Sequence, residues 1–126
     1  MSEAATPPLT TMAEGLRFPE GPIAMADGSV LLVEIAAGRI TRIGADGAKR
    51  VVSETGGGPN GIALGPNGQI YVCNNGGFLW HDGPEGTRPA GVPPDYRGGR
   101  IEVADPRTGS VRVLYDRCGE NTLKGP

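Results

Sequence analysis

Two oxygen-bearing side chains stand at equivalent places in a repeated pattern: Glu20 in Pro19-Glu20-Gly21-Pro22-Ile23, and Asn60 in Pro59-Asn60-Gly61-Ile62-Ala63. The segments align without a gap at an offset of 40 residues, so that Pro19 falls on Pro59, Gly21 on Gly61 and Gly28 on Gly68. A carboxylate and an amide delivered to one slot of successive repeats are hard donors, and Ca²⁺ gathers roughly six to eight such oxygens. Ca²⁺ is therefore the expected ion, with Mg²⁺, Mn²⁺ and Zn²⁺ as less characteristic alternatives. Asn74 and Asn75, which end the second segment, and His81, in the long loop that follows, are further candidates for lining a substrate site. Each has a plain structural reading beside the chemical one. A Glu or Asn in a proline-glycine turn caps local amides, Asn74-Asn75-Gly76-Gly77 reads as a turn, and a loop histidine is by default solvated unless it serves as an acid or base. Gly56-Gly57-Gly58 lacks the spacing and the following helix of a phosphate-binding loop.

A period near 40 with short apolar runs between glycine turns is the pattern of a β-propeller blade. In the first unit, strands are expected at 22–25, 30–35, 39–43 and 49–53, with hairpin turns at Asp27-Gly28 and Asp46-Gly47. In the second they are expected at 62–64, 69–74, 99–104 and 110–115. Gly38-Arg39-Ile40 recurs as Gly99-Arg100-Ile101 at an offset of 61 rather than 40, which places 21 extra residues between the second and third strands of the second unit. This insertion, roughly 76–98, is rich in proline and glycine and is expected as irregular loop, with Trp80 and Tyr96 anchoring it. No segment has the periodicity and caps of a helix. The expected fold is all-β: a propeller portion of about two four-stranded antiparallel blades. A disordered tail over 1–13 precedes a first blade over 14–57 and a second over 58–126, with the remaining blades missing. Gly125-Pro126 repeats Gly58-Pro59, where a third oxygen-bearing residue would be expected to follow.

Because blade strands alternate in direction, the crossing between blades lies at the same end as the link between strands two and three. Glu20 and Asn60, at the starts of inner strands, are thus expected on the central channel at the face from which the insertion also emerges. Glu34, Asn74 and Asn75, ending second strands, belong to that face too.

Composition narrows the partners. A formal net charge of −2 supplies no electrostatic attraction for nucleic acid or an acidic membrane. No apolar run approaches the ~20 residues of a membrane span, and the first eleven residues lack the basic and apolar regions of a signal peptide. Cys73 and Cys118 have no metal-ligand spacing and read as reduced thiols of a cytoplasmic protein, Cys73 within the core. Twenty-two glycines and twelve prolines would suggest disorder if unpatterned, but here they recur beside β-branched runs and so mark turns. Repeat units bury their faces on neighbours, and open blade edges leave strand groups unpaired, so the chain alone is expected to be marginal or to self-associate.

Glu20-Gly21-Pro22, Gly58-Pro59-Asn60-Gly61, Tyr71-Val72-Cys73-Asn74-Asn75-Gly76-Gly77 and Gly99-Arg100-Ile101 together resemble the gluconolactonase/regucalcin (senescence-marker-protein) family of six-bladed propellers, over about residues 14–126. The resemblance implies a divalent metal in the channel, held by a Glu, Asn residues and an Asp from different blades. The glutamate of the E-G-P element carries over to Glu20. Asn60 carries over only as a channel-lining residue, and the later Asn and Asp have no counterpart here. The implied activity is metal-dependent hydrolysis of a sugar lactone or related ester, with a small molecule as partner. The metal would act as Lewis acid, the general base would lie mostly outside this chain, and the insertion would shape the substrate mouth. Two other readings stand beside it: a non-catalytic propeller portion or binding module, and a truncated reading frame without activity of its own.

Overall fold

Left-handed glycines after aspartate divide the chain into short strands. Gly28 has φ +83° and Gly47 has φ +84°, backbone that a β-carbon disfavours. The preceding carboxylates close the turns: Asp27 Oδ1 accepts from the amide and hydroxyl of Ser29, and Asp46 Oδ1 from the amide of Ala48 at 3.0 Å. In the computed structural model, which describes residues 3–125, this pattern builds two four-stranded antiparallel sheets. The first blade is β1 (Pro19–Ala24), β2 (Val30–Glu34), β3 (Arg39–Ile43) and β4 (Lys49–Glu54), ordered β1-β2-β3-β4. The second contains β5 (Pro59–Leu64) and β6 (Ile70–Asn74), then, after the small hairpin β7 (Trp80–Gly83) and β8 (Gly86–Pro89), β9 (Arg100–Ala104) and β10 (Val111–Tyr115). Its order is β10-β9-β6-β5. A short pair, β11 (Arg117–Cys118) and β12 (Asn121–Thr122), follows.

The blades lie face to face. Leu31, Val33, Ile35 and Ile40 of the first pack on Ile70, Val72 and Ala104 of the second. The two-residue period of each strand puts alternate side chains on that interface, which is the aliphatic centre of the molecule.

Four expectations change. The insertion is not wholly irregular: β7 and β8 pair Trp80 with Pro89 and His81 with Arg88, so His81 belongs to a strand rather than a loop. Cys73 is exposed rather than core, because it points from β6 away from Ile70 and Val72 and hence away from the first blade. One 3₁₀ turn, Pro66–Gly68, interrupts the described residues, which are otherwise free of helix. The tail carries no regular structure over residues 3–13, yet Thr10–Ala13 lie over Val30, Leu32 and Ile43, tied by Lys49 Nζ donating to the Glu14 carbonyl at 2.6 Å. Met1 and Ser2 of the expected tail, and Pro126 of the repeated Gly-Pro junction, lie outside the described residues.

The hairpin clamps the entrance to β1. Trp80 packs on Phe18 with ring centroids 5.1 Å apart and on Phe78 at 5.9 Å. Arg17 reaches the hairpin as well, donating to both oxygens of Asp82, at 3.0 and 3.3 Å, and to Thr87 Oγ1 at 3.0 Å. Phe18 has φ +58°, a conformation bulky residues adopt at a cost of about 1–3 kcal/mol unless held by their surroundings. Trp80→Ala is expected to cost about 2 kcal/mol, since Trp80 is half-buried, and to loosen residues 17–20. Amide hydrogen exchange checks this: faster exchange confined to 17–20 and 79–91 supports the clamp, and unchanged exchange at Phe18 and Glu20 removes it.

Candidate functional site

Glu20 and Asn60 stand near the starts of the two inner strands, each at or next to a break in register. Along β1, Glu20 faces Val33 and the next paired residue, Ile23, faces Leu31, so the strand carries one residue more than its partner. Along β5, Pro59 faces Asn74 and Gly61 faces Cys73, leaving Asn60 unpaired. A β-bulge re-aims side chains at the rims of closed sheets and near active sites; in β5 the extra residue is Asn60 itself, whereas in β1 Glu20 stays paired and the extra residue falls just after it, at Gly21-Pro22. Gly21, at φ +56°, permits the close approach of the strands: a β-carbon there would stand 3.2 Å from Gly61 Cα and 3.7 Å from the Asn60 carbonyl oxygen. The sequence repeat pointed to the slot, but the bulges themselves were hidden in it, their only trace being a glycine after each donor.

Glu20 is exposed. Its Oε2 accepts from the Gly21 amide at 3.2 Å, and among the described residues it has no cationic partner. It borders a depression of about 280 Å³ with Pro19, Pro22 and Leu32. Asn60 is half-buried.

Asn74 and Asn75 hold the crossing that delivers Asn60. Asn74 Oδ1 accepts from the amides of Gly58 and Gly76, both at 2.9 Å, while Nδ2 donates to the Gly56 carbonyl at 2.9 Å and to Glu102 Oε1 at 2.7 Å. Asn75 donates its backbone amide to the Gly58 carbonyl at 2.8 Å, and its Oδ1 accepts from Gly77 at 2.8 Å. Its Nδ2 is buried without a hydrogen-bond partner among the described residues. A side chain at Gly58 would collide with the Asn75 amide. Tyr96 secures the far end of the insertion, donating its hydroxyl to the Asn75 carbonyl at 3.0 Å and accepting from the Gly125 amide at 3.1 Å. His81 stands apart, exposed on the β7–β8 hairpin. The structure therefore brings the backbones of the two inner strands together at Gly21 and Gly61, next to Glu20 and Asn60, joins Asn74 and Asn75 on the Gly56–Gly58 crossing, and leaves His81 on separate secondary structure. Among the described residues, no three His, Cys, Asp or Glu side chains converge as a metal cluster.

Each blade carries a buried carboxylate paired with a half-buried arginine near these residues. In the first, Glu34 is fully buried and accepts from Arg39 Nε at 2.7 Å, Arg39 Nη2 at 3.1 Å, Thr41 Oγ1 at 2.5 Å and the Arg17 amide at 2.8 Å. Burial pushes the Glu34 carboxyl upward, but the bonds from Arg39, Thr41 and Arg17 outweigh it and hold the group at about 2. In the second blade, Asn74 occupies the repeat position of Glu34, Arg100 that of Arg39 and Glu102 that of Thr41. Arg100 Nε lies 3.2 Å from Glu102 Oε2, and Arg100 Nη2 donates to the Thr55 carbonyl at 3.1 Å. The carboxylate has moved from the second strand to the third while the arginine stays, which frees the second-strand position for an amide that can grip the Gly56–Gly58 backbone. Neither unit was visible as a pair in the sequence, though both G-R-I motifs were.

No curated protein matches this chain. The family model described as SMP-30/Gluconolactonase/LRE-like region matches residues 18–125, a span that contains both blades, Glu20 and Asn60, and the two arginine units. The chain belongs to the SMP-30/Gluconolactonase/LRE-like family.

Proposed function

We propose that this chain provides the Glu20 ligand and part of the channel lining for a metal-dependent hydrolysis of sugar lactones or related esters. The observation that supports it is an exposed carboxylate without a cationic partner among the described residues, at a register break of β1 where Gly21 brings the strand close to Asn60-Gly61 of the next inner strand. The donor chemistry fits a hard divalent cation, Ca²⁺ above the others, with Glu20 holding it and Asn60 lining the approach. Such a cation, when bound, polarises a substrate carbonyl and acidifies water. The chain's own residues orient and enclose. The Asn74–Asn75 clamp fixes the crossing before Asn60, and the Trp80–Phe18 contact fixes the entry to Glu20. The β7–β8 hairpin and the rest of the insertion form a wall on which substrate selectivity can vary without disturbing the blades.

A second reading, a binding module without turnover, draws on the lack of a converging three-residue ligand cluster among the described residues. Calorimetric Ca²⁺ titration combined with lactone hydrolysis, each with and without chelator, separates the two. Ca²⁺ heat with chelator-sensitive turnover supports hydrolysis, Ca²⁺ heat without turnover supports the module, and neither signal overturns the metal assignment altogether.

A further inference from the structure

On the reading of Glu20 as a cation ligand, on which this rests, we propose that Arg17, Phe18 and Trp80 are positioning residues for Glu20. The docked β7–β8 hairpin holds Phe18 in its left-handed backbone, this turn aims the Glu20 carboxylate, and hairpin docking and cation binding at Glu20 therefore favour each other. Glu20 has little of its own to orient it. Its side chain has one hydrogen bond among the described residues, from the Gly21 amide at 3.2 Å. Pro19 faces Glu34 and Glu20 faces Val33, but the register breaks immediately afterwards. The direction of the carboxylate is thus set from the N-terminal side. There Phe18 has φ +58°, which a bulky residue avoids. Pro19 follows, and its ring fixes the next φ, so the turn taken at Phe18 passes with little give into Glu20, within about 7 Å along the chain.

Backbone bonds tie this entry to the end of β2: the Phe18 carbonyl accepts from the Ile35 amide at 3.0 Å, and the Arg17 amide donates to Glu34 at 2.8 Å. They leave the Phe18 ring to the hairpin, where Trp80 packs on it. The hairpin is a separate two-stranded sheet, joined among the described residues to neither blade by a strand ladder. Trp80 pairs with Pro89 and Asp82 with Thr87, so Trp80, Asp82 and Thr87 share one face. All three reach Arg17 or Phe18, while His81 and Arg88 pair on the opposite face. One face of the hairpin thus docks on the two residues that lead into Glu20, its aromatic half on Phe18 and its polar half on Arg17. The polar half is open to water, with Arg17 44% and Asp82 65% exposed, and exposed ion pairs contribute little, so Trp80 carries most of the hold. Whatever docking adds to cation affinity, the cation returns to docking.

Calorimetric Ca²⁺ titration, amide hydrogen exchange and thermal melts on the intact chain test this. Trp80→Ala is expected to weaken Ca²⁺ binding about tenfold, and Trp80→Phe, which keeps a ring on Phe18, much less. The deciding variant adds Phe18→Gly to Trp80→Ala. Glycine takes a positive φ without a clamp, so Ca²⁺ affinity is expected to return toward the parent value even as loss of the Phe18 ring, which packs against the core, lowers Tm further. A purely structural role moves affinity and Tm in the same direction, so a double variant that binds Ca²⁺ no better than Trp80→Ala overturns the positioning role. Saturating Ca²⁺ is expected to slow exchange across the hairpin of the parent, and equal exchange with and without the ion overturns the linkage. A parent that binds Ca²⁺ no better than Trp80→Ala leaves Glu20 a ligand and removes the positioning role alone. A parent that binds no Ca²⁺, or whose affinity Glu20→Gln leaves unchanged, removes Glu20 from the site and its positioning with it. Where Trp80→Ala fails to fold, Asp82→Ala at the exposed tip decides: exchange at Phe18 and Glu20 must quicken and Ca²⁺ affinity fall about twofold to threefold, and no change in either overturns the positioning role.

Discussion

Glu34→Asn is expected to destabilise the first blade by about 3 kcal/mol, on the order of 10 °C in Tm for a chain of this size. The carboxylate is completely buried and is shared by Arg39, Thr41 and the Arg17 amide. Shortening and neutralising it leaves a guanidinium and a hydroxyl facing an interior that no longer compensates them, and this costs more than the pair contributes when intact. Partial exposure of the Arg39 side chain, 31%, lets water relieve some of the loss and keeps the expected value at the lower end for buried pairs. The second blade indicates how to restore it, since that blade already carries Asn at the Glu34 position and a carboxylate at the Thr41 position. Adding Thr41→Glu to Glu34→Asn is therefore expected to recover at least half of the lost stability by returning an anion to Arg39. Thermal unfolding of the single and double variants checks this. A double variant less stable than the single one would show that the two units are not interchangeable and that the repeat does not extend to their electrostatics.

The same carboxylate gives the fold an acid limit. Its native value lies at about 2 against an ordinary 4.5, so folding favours the ionised form. Its contribution is fully present above pH 4.5 and is lost as pH falls through that window toward 2. Glu34→Gln is expected to be less stable than the parent at neutral pH and to lose less on acidification across the window, a convergence that Trp80 fluorescence during acid unfolding can follow.

Much of the architecture was legible because glycine turns and alternating apolar residues are local signals. Asp27-Gly28 and Asp46-Gly47 form the turns their types predict, and the eight blade strands lie within a few residues of their expected places. The offset of 61 for Gly99-Arg100-Ile101 correctly set β9 beside β6 despite the intervening chain. Cys73 shows where local reading stops. A cysteine flanked by valine and asparagine in an apolar strand looks internal, yet which face of β6 is covered depends on the blade across from it. The hairpin β7–β8 was illegible for another reason: Trp80-His81-Asp82-Gly83 lacks alternation, and its docking comes from Phe18 and Arg17 more than sixty residues away. Asn74 was legible as a polar residue at the end of a strand but not as a backbone clamp, since its partners Gly56, Gly58 and Glu102 converge only once both the crossing and β9 are in place.

For the proposed chemistry, Glu20→Gln is expected to weaken Ca²⁺ binding by about a hundredfold or more and to reduce lactone hydrolysis accordingly, while Asn60→Ala weakens binding by about tenfold or less. The substitution at Glu20 preserves size and leaves an oxygen that can still accept from the Gly21 amide, so the bulge has no reason to collapse. What it removes is the negative charge, and a hard cation depends on charge at its oxygen ligands far more than on an amide dipole. Asn60 offers only that dipole from the adjoining bulge, hence the smaller expected loss. If Glu20 is instead a turn residue, Glu20→Gln changes stability by about 1 kcal/mol or less and leaves metal binding intact. Because Glu20 is exposed and without an ion-pair partner among the described residues, Tm is expected to stay within a few degrees of the parent under either reading. Metal affinity can therefore be compared between equally folded proteins. Calorimetric Ca²⁺ titrations of parent, Glu20→Gln and Asn60→Ala, with thermal melts as the control for folding, decide between them: equal affinity in parent and Glu20→Gln would remove Glu20 from the site and leave the hydrolytic assignment resting on the family alone.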